Sequence, residues 1–173
     1  MLKALRNRAA HRAVVDRLYD AIAERARSAV FFGDLGVADT FDGRFDMLVL
    51  HAWLVMDELL RHENSEISQR LLDTLFVQFD EALRELGAGD VGMSRRMKKM
   101  ASAFFGRFEA YRSAGDEEAL AAAIVRNIYR GEAQGIEAAR RIATYCLAAR
   151  SKLARSGLET GEADFGPLPA AGT

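Results

Sequence analysis

Apolar residues recur at spacings of three and four in at least six segments of this chain, and no segment alternates with period two over β-branched residues. That periodicity predicts an all-α protein. A first helix is expected over about 9–29, with Val14, Leu18, Ile22 and Ala26 on one face. Gly33 and Gly36 end it and open a loop. A second helix, over about 41–61, carries Phe45, Leu48, Val49, Ala52, Met56 and Leu59 on one side and Met47, Leu50 and Leu54 on the other. A helix that is apolar all round belongs at the centre of a bundle.

The remaining elements follow from caps and breaks. Asn64 or Ser65 is placed to cap a third helix over about 65–86, striped by Ile67, Leu71, Leu75, Phe79 and Leu86. The glycine-rich "GAGDVG" interrupts it, and a fourth helix is expected over about 94–112 with Ser94 as its cap. A fifth, about 116–130, begins with acids that favour the positive helix end, and a sixth, about 134–155, is alanine-rich and basic. Both prolines, Pro167 and Pro169, lie near the C-terminus, so nothing before them forbids helix. Residues 157–173 hold three acids, four glycines and no lysine or arginine, a composition expected to stay a flexible tail. The fold class is therefore a single compact bundle of about six helices over 1–156, followed by a flexible acidic tail over 157–173.

Composition narrows the function classes. With 173 residues, half of them hydrophobic, and a formal net charge of −1, the chain suits one globular domain with no bulk bias toward nucleic acid. Cys146 is the only cysteine, which excludes an internal disulfide and a multi-cysteine zinc site and fits a reducing compartment. The longest apolar run, 47–56 broken by His51, falls well short of the roughly 20 residues a spanning helix needs. The N-terminus carries Lys3, Arg6, Arg8 and Arg12 with no acid before Asp16; since the helical periodicity continues through Leu18 and Ile22, it reads as the basic start of a helix rather than as a transit peptide.

Candidate chemistry thins out under inspection. Gly87, Gly89 and Gly92 spell G-x-G-x-x-G, but the motif follows a helix with no βαβ unit around it, so Gly87 reads as a left-handed helix stop. Asp39, Asp42 and Asp46 fail the ligand spacing of a calcium loop, and no histidine has a glutamate three residues before it, as a bundle di-iron site requires. Asp39 or Thr40 reads instead as a cap, with Asp42 in the first turn. His51 on an apolar helix is expected to be a satisfied core or groove histidine, and Cys146 a small core residue. No catalytic constellation, metal or cofactor is expected.

The most informative local stretch is "SRRMKKMASAFFGRFEAY", 94–111. On a helix, Met97, Met100, Ala101, Phe104 and Phe108 share an apolar arc, while Arg95, Lys98 and Lys99 lie opposite. Such a face is either simply solvated or a docking surface for phosphates, headgroups or acidic segments. Phe105 sits at the edge of the arc and, with the methionines, suggests an adaptable hydrophobic groove for a peptide or helix.

Three stretches together, "GDLGVADTFDGRFDMLVLHAWLV", "FDEALRELGAGDVGMSRRMKKMASAFFGRFEAY" and, more loosely, "LAAAIVRNIY", resemble the ubiquinol-cytochrome c chaperones in sequence and order over about 28–130. The resemblance implies a non-enzymatic helical assembly factor that binds newly made cytochrome b until complex III assembles, near the ribosomal tunnel exit. It implies ribosome or partner contact at Arg95, Arg96, Lys98, Lys99 and Arg107. Asp39, Asp42, Gly43 and Arg44 fall in the family's other signature, and a client groove is expected to involve Asp39, Asp42, Arg44, His51, Phe104 and Phe105. The mitochondrial members' N-terminal extensions are missing, so the chain is expected to be a bacterial relative, cytoplasmic and peripheral to the inner membrane, with no DNA partner. The alternative is an adaptor that binds a ribosome or an anionic membrane without holding a client.

Overall fold

The computed structural model describes residues 2–87 and 90–170, with side chains from residue 9 onward except those of residues 90 and 91. Six long helices form the architecture: α1 (Leu2–Ala26), α3 (Phe41–Arg61), α4 (Ser65–Glu85), α5 (Asp90–Arg112), α6 (Glu117–Asn127) and α7 (Ile136–Leu153). A single turn, α2 (Ala29–Phe32), follows α1, and no strand occurs among the described residues.

The all-round apolarity of α3 puts it at the centre. It contacts α1, α4, α5 and α7, and every residue from Val49 to Leu59 is buried. The helices around it present one stripe each. Val14, Leu18, Ile22 and Ala26 of α1 and Ile67, Leu71, Leu75 and Phe79 of α4 are all in the core, as their spacing predicts, whereas Leu86, expected to continue the α4 stripe, is exposed just past the helix end. Trp53, Leu54 and Leu59 are essentially inaccessible. Helices α6 and α7 pair with each other, α7 packing on α3 and α6 on α5.

Two buried carboxylates on α3 tie the layers together. Asp46 pairs with Arg107 of α5 and Arg130 beyond α6, each at 2.7 Å. Three turns on, Asp57 meets Arg150 of α7 at 3.1 Å, Arg61 at 3.2 Å and Arg112 of α5 at 3.6 Å. Removing a charge from water is costly unless it is paired, and each carboxylate has more than one guanidinium. Burial pushes the Asp46 carboxyl up, and Arg107 and Arg130 pull it back.

Several expected boundaries move. Helix α5 starts at Asp90, so Ser94 lies inside it rather than capping it, and α6 ends at Asn127, which frees Arg130 to turn left-handed at φ 57°. Gly87 is left-handed at φ 78°, the helix stop its position predicts. Gly89, and the side chains of Lys3, Arg6 and Arg8, lie outside the described residues.

The acidic C-terminal segment follows an ordered course over its described part, 157–170. Leu158 and Phe165 are buried, Arg17 Nη2 donates to Thr160 O at 2.6 Å, and Arg25 Nη2 donates to Gly166 O at 2.8 Å. Composition argues for flexibility there because it averages over the segment. Two apolar anchors and two arginines of α1, which lie outside it in sequence, hold it in place. Residues 171–173 lie outside the described residues.

Candidate functional site

The loop before α3 is built by its own residues. Leu35 and Val37 point into the core, Tyr129 donates to Leu35 O at 2.6 Å, and Val37 N donates to Phe31 O at 2.9 Å. Burial pushes the Tyr129 phenol up to about 12. Thr40 caps α3, its hydroxyl accepting from Gly43 N at 3.2 Å. Gly43 is required there: a Cβ would lie 1.9 Å from Ala38 O. Asp39 is the partner of Arg44 instead of a cap, at 2.7 Å, and the guanidinium holds its carboxyl below the usual range. Asp42 is exposed in the first turn.

That helix start forms one end of a groove of about 420 Å³ between α1, α3, α4 and α5. Phe41, Phe45 and Leu48 come from α3, Tyr19, Ala23 and Ala26 from α1, Phe79 and Ala82 from α4, and Met100 from α5. The alanines leave the space that larger side chains would fill. Arg27, Arg44, Gln78, Glu81 and Glu85 supply a rim of both signs. An apolar floor with a polar rim suits a row of side chains from an apolar helix.

Among the expected site residues, only Arg44 lines this groove, with Asp39 held beside it. His51 lies elsewhere, wholly buried among Phe31, Tyr145 and Phe165. Its Nδ1 is 2.8 Å from Met47 O, which can only accept, so Nδ1 carries the proton and Nε2 accepts from the Tyr145 hydroxyl at 3.0 Å. Burial, with a smaller contribution from Arg25, lowers its pKa to about 4, so this is a neutral core histidine. Phe104 is likewise fully buried, ringed by Phe76, Phe79 and Phe108. Neither has a surface to offer a client.

On α5 the expected basic cluster divides. Arg95, Arg96, Lys98 and Lys99 are exposed, and none has an ion-pair partner among the described residues. Arg107 turns inward, 17% exposed, onto Asp46 and over the Phe45 ring, because its position on the helix faces α3. It is a structural clamp rather than a contact for partners. Phe105 is 51% exposed and stacks on Phe76 of α4.

Ala26 of α1 and Phe79 of α4 lie on predicted stripes, but the groove itself escapes such a reading, since a void between helices has no signal in either stripe alone. The signal available was the run of alanines, Ala23, Ala26 and Ala82, where neighbouring stripe positions carry leucine, isoleucine or phenylalanine. Among the described residues, no group of three or more His, Cys, Asp or Glu is arranged to hold a metal ion, and no helix is long and apolar enough to cross a membrane.

The family model described as ubiquinol-cytochrome C chaperone matches residues 33–160. The chain belongs to the ubiquinol-cytochrome c chaperone family. Its structure is similar to one described as the crystal structure of the Cbp3 homolog from Brucella abortus, with 35% sequence identity, a TM-score of 0.81, and coverage of 95% of this chain and 98% of that one. The search of curated proteins finds none that matches. The part shared with the chaperone family holds three of the groove's four walls, α3, α4 and α5, together with the loop that fixes the start of α3. Helix α1, the fourth wall, lies before it, and the likeness to the Brucella abortus protein covers nearly the whole chain.

Proposed function

We propose that the protein is a non-enzymatic assembly chaperone of the cytochrome bc1 complex (complex III), and that it holds newly made cytochrome b through the α1/α3/α4/α5 groove. Family membership supports the assembly role, and the groove is the observation that carries the holding role. Its floor of Phe41, Phe45, Leu48, Phe79 and Met100 matches the chemistry of a membrane-protein helix that has not yet found its partners. The step is binding rather than bond-making. The groove shields apolar side chains from water, and the client leaves when haem insertion or subunit docking covers the same surface.

The outward face of α5 serves as an anchoring surface in this reading, toward the ribosome near the tunnel exit or the inner-membrane surface, and the protein works in the cytoplasm beside that membrane. Deleting the gene tests the client assignment. The expected result is loss of spectrally visible cytochrome b and of assembled bc1 complex, while normal levels of both contradict it. A second reading, an adaptor that binds ribosome or membrane without holding a client, is favoured by the cations of α5 that have no ion-pair partner among the described residues. Reversing the charge of Arg95, Arg96, Lys98 and Lys99 then abolishes every phenotype, whereas a holding chaperone keeps client capture through the groove.

A further inference from the structure

We infer that the outward face of α5 docks on an anionic phospholipid bilayer, Arg95, Lys98 and Lys99 meeting headgroup phosphates with Arg96 at the edge of the face, while the Phe105 ring enters the headgroup–acyl boundary. This partner assignment rests on the anchoring role proposed for α5 and is independent of which client fills the groove.

Charge is the first support. From residue 91 to residue 108 the chain has no acid, and the four cations fall within two turns. Some exposed arginines elsewhere have carboxylates, Arg44 with Asp39 and Arg84 with Asp80, while Arg17 and Arg155 bond backbone carbonyls. The four α5 cations have no carboxylate partner among the described residues, so their field is directed outward and complements a surface dense in phosphate.

Geometry separates a bilayer from a nucleic acid. Arg95, Lys98, Ser102 and Phe105 follow one another at spacings of three and four, so the half-exposed ring continues the cationic strip. Phe105 is held there: its ring lies nearly parallel to Phe76, centroids 6.0 Å apart, and edge-on to Phe104 at 5.4 Å. Single-stranded nucleic acid asks for a groove that tracks its backbone and several aromatic platforms. A convex helix face with cations and one fixed apolar ring fits a plane into which the ring can dip.

The test is sedimentation of the full chain with vesicles of phosphatidylcholine alone and of phosphatidylcholine mixed with phosphatidylglycerol. Binding is expected only to the mixed vesicles, weakening as salt rises. The substitutions Arg95→Gln, Arg96→Gln, Lys98→Gln and Lys99→Gln together are expected to weaken it by on the order of a hundredfold, and Phe105→Ser by several-fold, with unchanged circular dichroism. Equal binding to both vesicles, no binding to the mixed ones, or indifference to the four substitutions overturns the inference. So does tighter binding to a single-stranded RNA oligonucleotide that ignores Phe105. Crosslinking of cytochrome b to the groove in cells is scored separately: capture without vesicle binding removes the bilayer and leaves the chaperone, and vesicle binding without capture does the reverse.

Discussion

Arg107 of α5 places its Nε 2.7 Å from Oδ1 of Asp46, a carboxylate with no solvent exposure on the central helix. The pair locks the basic helix to the spine of the fold, and it separates two kinds of cation that look alike in the sequence. Arg107→Ala leaves a buried charge with only Arg130 beside it and is expected to cost about 3 kcal/mol in urea unfolding. Lys98→Ala and Arg95→Ala, on the free face, are expected to stay within about 0.5 kcal/mol. Equal costs would mean that Arg107 is not a clamp.

His51 makes stability depend on pH in a defined direction. Its folded pKa is lowered from 6.5 to about 4, so the unfolded chain takes up a proton more readily in that window. The contribution of the neutral ring is fully present above about 6.5 and is lost as pH falls toward 4, roughly 3 kcal/mol in all at 1.36 kcal/mol per unit. Urea unfolding between pH 7 and about 4.5 should show this slope in the native protein and a shallower one in His51→Gln; identical slopes would remove His51 as the cause.

Phe165 packs its ring 5.6 Å from that of His51 and lies under the Arg25 guanidinium at 5.4 Å. Phe165→Ala is expected to cost about 3 kcal/mol and to raise the His51 pKa by admitting water, which an NMR titration reads directly. An unchanged His51 pKa would show that the C-terminal segment does not seal this part of the core.

The bundle was legible because its periodicities are strong and its breakers few. Phe41–Arg61 coincides with the expected span of α3, whose apolarity on every side already marked it as central. The caps were partly legible: Thr40 takes the role offered to Asp39 or Thr40, and Asp116 accepts from Ala119 N at 2.8 Å as an acid before a helix should. What the chain concealed were properties of pairs of elements. Arg107 and Lys98 are both cations on one helix, and only the position of α3 decides that one is buried. His51 and Phe104 lie on apolar faces that a groove could have used, yet the packing of α7 and α4 covers them. The groove exists where alanines of different helices meet, and the anchoring of 157–170 depends on arginines of α1 far away in sequence.

Photocrosslinking from the groove tests the holding claim most directly. A photoreactive residue placed at Phe41 or Leu48, both half-buried in the groove wall, with a matching control at exposed Gln69 on α4, is to be activated in cells synthesising the bc1 complex. The account predicts that newly made cytochrome b is crosslinked from the groove positions and not from Gln69. Crosslinking of cytochrome b from neither groove position, or from Gln69 with equal yield, would contradict it.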